Sequence, residues 1–181
     1  MAAGETTKWT YEDLEVLPAD GKRHEIIDGE HYVNPAPVPR HQLIAGNLFA
    51  ALRQFVRSHR AGVVYHAPLD VVLSDETVVE PDILFVSQAR LAIVGEKNIT
   101  AAPDLVVEVL SESNRRFDEV TKRKLYETYG VEEYWVVDPV LDLIKIYRGN
   151  TRIAELSLEQ NDILTTPLLS GLEIPLAEIF E

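Results

Sequence analysis

The chain reads as a mixed α/β (α+β) fold, and three observations carry that reading. Residues 103–139 run as strand, helix, strand; Arg40 to His59 carries an apolar stripe at helical spacing; the other apolar runs are short, β-branched and separated by turn residues. With 181 residues and 46% hydrophobic content there is enough for one domain with a sizeable core, and no Pro/Gly/Ser-rich linker divides residues 1–181.

Thr10 followed by Asp13 has the form of a capping box that opens a short helix over Tyr11 to Leu17, ended near Pro18. Arg23 to Ile27 and Glu30 to Val33 flank Asp28-Gly29, the pair that favours a type I′ turn, so an N-terminal hairpin is expected. Pro35, Pro37 and Pro39 form a stiff connection into the Arg40 to His59 helix, where Ile44, Leu48, Leu52 and Phe55 share a stripe. Gly62 to Leu73 and Thr77 to Val86 read as a hairpin around Ser74-Asp75-Glu76, with an edge position or local break expected at Pro81. Gln88 to Leu91 reads as a short helix.

Leu105 to Leu110 has the apolar continuity of a strand buried on both faces, yet Glu108 sits inside it. Asp118, Lys122 and Tyr126 then recur every four residues, which puts them on one face of an α-helix, and Gly130 supplies the stop. Val131 to Asp138 resumes as a strand closed by Pro139. Leu141 to Tyr147 and Arg152 to Leu158 make a C-terminal hairpin around Gly149-Asn150, and the tail adds one strand and a turn at Leu176 to Phe180.

Composition excludes several classes of chemistry. Without cysteine there is no disulfide, thiolate metal site or cysteine nucleophile, and the five histidines show no HExxH-type spacing. No apolar leader or bilayer-length run is present, so a cytoplasmic location is expected. A net charge of −13 opposes broad phosphate binding, although basic residues cluster at Arg40, Arg53, Arg57, His59 and Arg60 and again at Arg115, Arg116, Lys122, Arg123 and Lys124. Each cluster reads either as a solvated helix face or as the positive wall of a cleft.

A buried carboxylate needs a cation or hydrogen-bonding partner, which makes Glu108 the first candidate for chemistry. Asp104, four residues earlier on the same strand, would lie roughly 13 Å away, too far for a single-metal pair. Asp82, on a neighbouring strand, would come within about 5 to 10 Å. Asp82 and Glu108 are therefore the expected metal ligands, with Asp104 at the strand entry. Two carboxylates completed by waters and a substrate phosphate suit Mg²⁺ or Mn²⁺. Lys122 is the expected partner of the attacking water, against the alternative of an exposed Asp118–Lys122 ion pair. Tyr126 reads as packing with its hydroxyl finding a partner rather than as a catalytic acid, and Tyr134 and Trp135 read as core, for which a dimer face is the alternative.

The blocks RHEIIDGEHYV, His41-Gln42, PLDVVLS, VVEPDILFVS, PDLVVEVLSES, the D-x-x-x-K-x-x-x-Y helix and GVEEYWVVDP occur in the order that resembles the Uma2 family of restriction endonucleases, from about Arg23 to SGLEIPLAEIF. That family is similar to the PD-(D/E)XK superfamily. The resemblance implies a restriction endonuclease-like mixed sheet flanked by helices and a metal-dependent endonuclease acting on nucleic acid, DNA rather than RNA. It matches Asp82 to the metal-binding aspartate and Glu108 to the acidic residue of the D/E-x-K element. Leu110 stands where that element has its lysine, which implies a lysine moved to the next helix, at Lys122 with Lys124 as fallback. Glu25 and His41 fall in family blocks, as further ligands or as residues holding a ligand from behind. Cutting two strands suits a homodimer or higher homo-oligomer. The competing reading is a non-catalytic binding or assembly module that keeps the fold.

Overall fold

The computed structural model describes residues 8–18, 20–111 and 115–181, so Glu112 and Ser113 of the PDLVVEVLSES block lie outside the described residues. The chain opens with α1 (Tyr11–Glu15), shorter than expected, where Thr10 and Asp13 do form the capping box. β1 (Arg23–Ile27) and β2 (Glu30–Asn34) pair antiparallel through Asp28 and Gly29, which both take positive φ (54° and 83°), as a type I′ turn requires. Pro39 occupies the first turn of α2 (Pro39–His59), where its missing N–H costs nothing. Ile44, Leu48, Leu52 and Val56 give this helix its buried stripe, each worth roughly 1.5–3 kcal/mol of apolar burial.

The expected long hairpin of residues 62–86 is instead two stacked pieces. β3 (Gly62–His66) pairs with β6 (Ile83–Ser87), whereas β4 (Val71–Ser74) pairs with β5 (Thr77–Val79) in a different sheet. Both breaks fall at prolines, Pro68 on the way out and Pro81 on the way back, because a residue without an N–H cannot carry a central ladder. The two crossing segments run side by side, joined by the Ala67 N–H donating to the Asp82 carbonyl at 3.1 Å.

A short 3₁₀ helix (Gln88–Ile93) precedes β7 (Leu105–Val109). The following helix departs from the α geometry expected of it: Phe117–Lys122 is π-helical, and only then does α3 (Arg123–Thr128) begin. Gly130 stops it at φ 80°. β8 (Glu133–Asp138) returns parallel to β7, and β9 (Leu143–Arg148) with β10 (Thr151–Ser157) forms the C-terminal hairpin. β11 (Ile163–Leu164), β12 (Ile174–Pro175) and α4 (Leu176–Phe180) complete the chain, one short strand more than expected.

Among the described residues, the main sheet has the order β10-β9-β8-β7-β6-β3, and a smaller one the order β2-β1-β5-β4. Alternation along β7 sorts the interior into two cores. Leu105, Val107 and Val109 join Trp135, Ile83, Phe85 and the stripes of α2 and α4. Val106 and Leu110 face the other way, toward Tyr126, Leu125, Tyr134 and the smaller sheet, and Glu108 shares their side. Tyr134 and Trp135 are core residues, 3% and 0% exposed, and offer no dimer face.

Candidate active site

Asp82, Glu108, Lys122, Glu25 and His41, drawn from five elements or their approaches, converge where the two sheets meet. Strand pairing accounts for the first two. Ile83 lies opposite Val107, so Asp82, one residue before β6, reaches the end of β7 that holds Glu108. Its Oδ2 accepts a hydrogen bond from the Val109 N–H at 2.8 Å, one residue beyond Glu108. His41, buried on the first turns of α2, places Nε2 at 3.1 Å from the same oxygen. The His41 Nδ1 atom is buried without a partner among the described residues, so the N–H belongs on Nε2, donating to Asp82.

Arg23 donates to Asp82 Oδ1 at 2.7 Å. Burial alone would raise the Asp82 carboxyl; contacts with His41, Arg23 and the Val109 N–H outweigh it and hold the group below the usual carboxylate range. Sequence reasoning treated Arg23 only as the start of a strand. The available signal was its spacing from Glu25: two residues apart on a strand, both project from one face.

Lys122 is buried, and the alternative of an exposed ion pair is overturned. Its Nζ donates to Glu108 Oε1 at 2.8 Å and to Glu25 Oε1 at 2.9 Å, with Asp118 Oδ1 at 3.8 Å. Asp118 and Lys122, four apart on the π-helical turn, are both buried on its inward side. Lys124, the fallback lysine, is exposed. The Tyr126 hydroxyl finds its expected partner in Glu108, donating to Oε1 at 2.9 Å.

Three carboxylates thus share one ammonium. Burial lowers the Lys122 pKa, but Glu108, Glu25 and Asp118 more than reverse this and hold the proton firmly. The carboxylates bear the cost. Burial, then the charges of Asp82 and Glu25, push Glu108 up to about 7 against the pull of Lys122. Burial and the Glu108 charge push Asp118 up to about 8.

Both oxygens of Glu25 are bonded: Oε1 also accepts the Glu80 N–H, and Oε2 accepts the Asn34 amide at 2.6 Å. It reaches Lys122 from the smaller sheet. On Glu108 the bonds from Lys122 and Tyr126 both fall on Oε1, and the residue lines the open cavity together with Asp82. No three His, Asp or Glu side chains form a closed metal cage among the described residues. Two carboxylates on one cavity nonetheless match the oxygen-only, partly hydrated coordination of Mg²⁺ or Mn²⁺. Asp104 is elsewhere, accepting the Ser87 N–H at 2.8 Å beside Arg90, as its strand-entry placement implied.

A fold of this kind, with acidic residues on adjacent strands and a lysine brought to them, defines the class of restriction endonuclease-like proteins. The chain belongs to the Uma2 family, whose model, described as "Putative restriction endonuclease", matches residues 10–177. A solved structure from Anabaena variabilis ATCC 29413, titled a putative nuclease belonging to DUF820, superposes with a TM-score of 0.79 at 22% identity, covering 94% of this chain and 97% of that one. No curated protein matches the chain. Among the described residues, no helix is long and apolar enough to cross a membrane.

Proposed function

We propose that the protein hydrolyses phosphodiester bonds in nucleic acid, with Asp82 and Glu108 holding Mg²⁺ or Mn²⁺ and Lys122 beside the attacking water. The observation that carries this reading is Lys122 Nζ, 2.8 Å from Glu108 Oε1 in a cavity that Asp82 also lines. It supports the substitution implied at Leu110: the ammonium expected two residues beyond Glu108 comes from a neighbouring helix instead. Bound between the two carboxylates, the metal would act as a Lewis acid toward the phosphate and lower the pKa of a water.

The side chains divide the remaining work. Arg23, His41 and the Val109 N–H keep Asp82 ionised and aimed. Glu25 and Tyr126 fix Lys122 and one oxygen of Glu108, leaving the other oxygen for the cavity. Lys122, charged throughout the neutral range, orients a water through a lone pair and stabilises negative charge developing on the phosphoryl oxygens. Family membership and the nuclease title of the structural neighbour support nucleic acid as the substrate class.

The test is cleavage of single- and double-stranded DNA and of RNA with Mg²⁺ or Mn²⁺, comparing wild type with Glu108→Ala and Lys122→Ala. Metal-dependent products that vanish in both variants are expected. Equal cleavage by Glu108→Ala, or by wild type in chelator, would defeat the mechanism.

A further inference from the structure

Charge in this chain is segregated in a way the catalytic reading does not use. All of its 30 Asp and Glu residues lie outside residues 31–69, a stretch that contains the whole of α2 and β3 and four arginines. Arg53, Arg57 and Arg60 are exposed, and none has an ion pair among the described residues. In a protein of net charge −13, this is a cationic face kept free of internal neutralisation.

The face is joined to the site. Gln42, Gly46, Phe49, Arg53 and Arg57 follow one another at steps of three or four residues, so they form a single stripe along α2, and Arg60, the left-handed residue that caps the helix, lines a concavity with Arg53 and Arg57. Its N-terminal end borders a cavity of about 440 Å³ that shares Arg23, His41 and Asp82 with the catalytic cavity of about 530 Å³. In that first cavity, Phe49 and His66 meet edge to face at 4.6 Å. Phe49 also opens the next concavity, which Arg53 and Arg57 line, and those two arginines lead into a last one with Arg60 and Tyr65. From His41 to Arg60 the helix rises roughly 28 Å.

We infer that the stripe on α2 is the binding track for an unpaired nucleic-acid strand, which runs from Arg60 past Phe49 to the bond above Asp82 and Glu108. This rests on the catalytic reading for the position of the cut and adds the form of the substrate. Size favours a single strand: the carboxylates are 5% and 3% exposed at the floor of cavities that hold a nucleotide or two, where the wide body of a duplex stays outside. Chemistry favours it too. Arginines spaced along a groove with aromatic rings suit a flexible backbone whose bases stack. A duplex needs a broad basic surface, which this acidic chain lacks.

Binding of a labelled single-stranded DNA, read by fluorescence anisotropy in chelator, tests the track without cleavage. The variant Arg53→Ser/Arg57→Ser/Arg60→Ser should lose about tenfold or more in affinity and lower the slope of log K against log salt by about 2. A control with the same charge change, Lys8→Ser/Lys97→Ser/Arg152→Ser, should lose far less, and thermal unfolding verifies that each variant is folded. Phe49→Ala should weaken binding about tenfold with the salt slope unchanged, the mark of lost stacking. Equal losses in the two triple variants, duplex bound as tightly as single strand, or no binding by wild type would each overturn the track. Binding along α2 without metal-dependent cleavage would leave the track standing and defeat the catalytic reading. Cleavage with unaltered binding by the arginine variant would do the reverse.

Discussion

The two faces of β7 are equally buried and differ in chemistry at one position, Glu108. The side chains of Leu105, Val107 and Val109 join an apolar cluster with Trp135, Phe85 and Leu48. One residue out of phase, Glu108 meets Lys122, Tyr126 and, through the lysine, Glu25 and Asp118. The first face stabilises by burial. The second packs several charges where burial penalises each, and an apolar replacement of such a cluster is often at least as stable. The side chains of β7 therefore divide their duties: Leu105, Val107 and Val109 hold the fold, and Glu108 on the other face belongs to the polar cluster.

Breaking the polar face at its hub should have the largest effect. Lys122→Met leaves three carboxylates without their cation and should cost about 3–5 kcal/mol by urea unfolding, together with about 10²–10³-fold in cleavage rate. On the apolar face, Trp135→Ala should cost about 3–5 kcal/mol in the same titration; unlike Lys122→Met, it should leave the metal-dependent activity of the folded fraction intact. A Trp135→Ala protein that is folded and inactive would erase the division between the faces.

A pH series sharpens the comparison. Asp118 ordinarily titrates near 3.8, and in the fold burial and Glu108 push it up to about 8. Between those values the native state binds the extra proton, so the contribution to stability is full below the lower value and lost as pH climbs through the upper one. Wild-type stability should therefore decline from about pH 5 to pH 8, and Asp118→Asn should flatten the decline. An unchanged slope would mean that Asp118 is not held against Glu108. The smallest effect belongs to Lys124→Ala, two residues from Lys122 but exposed: stability within about 0.5 kcal/mol of wild type and unaltered cleavage.

Strand and helix placement was largely legible because periodicity and turn chemistry act locally. Asp28-Gly29, Gly130 and the Pro39 helix start all behave as their residue types dictate. The split of residues 62–86 between sheets was half legible: Pro81 signalled a break, but Pro68 was read through, since an apolar run masks a change of partner. The π turn at Phe117–Lys122 escaped notice because residues four apart share a face in either geometry. In the site, strand rise and adjacency led to Asp82 and Glu108, and the block resemblance led to Lys122. Arg23 was not found, as a lone cation at the start of a strand looks like solvent-facing charge until its partner's strand is known. A buried Tyr126 hydroxyl with a partner was legible, but that the partner is Glu108 is visible only once the helix is docked on β7.

The bond from Lys122 to both Glu25 and Glu108 ties the smaller sheet to the larger through a residue that comes late in the chain. During synthesis, Glu25, His41, Asp82 and Glu108 all emerge before it. A nascent or prematurely ended chain therefore carries every carboxylate of the centre and lacks the cation around which they can be enclosed. The centre is complete only once Lys122, the last of these charged groups in the chain, is in place.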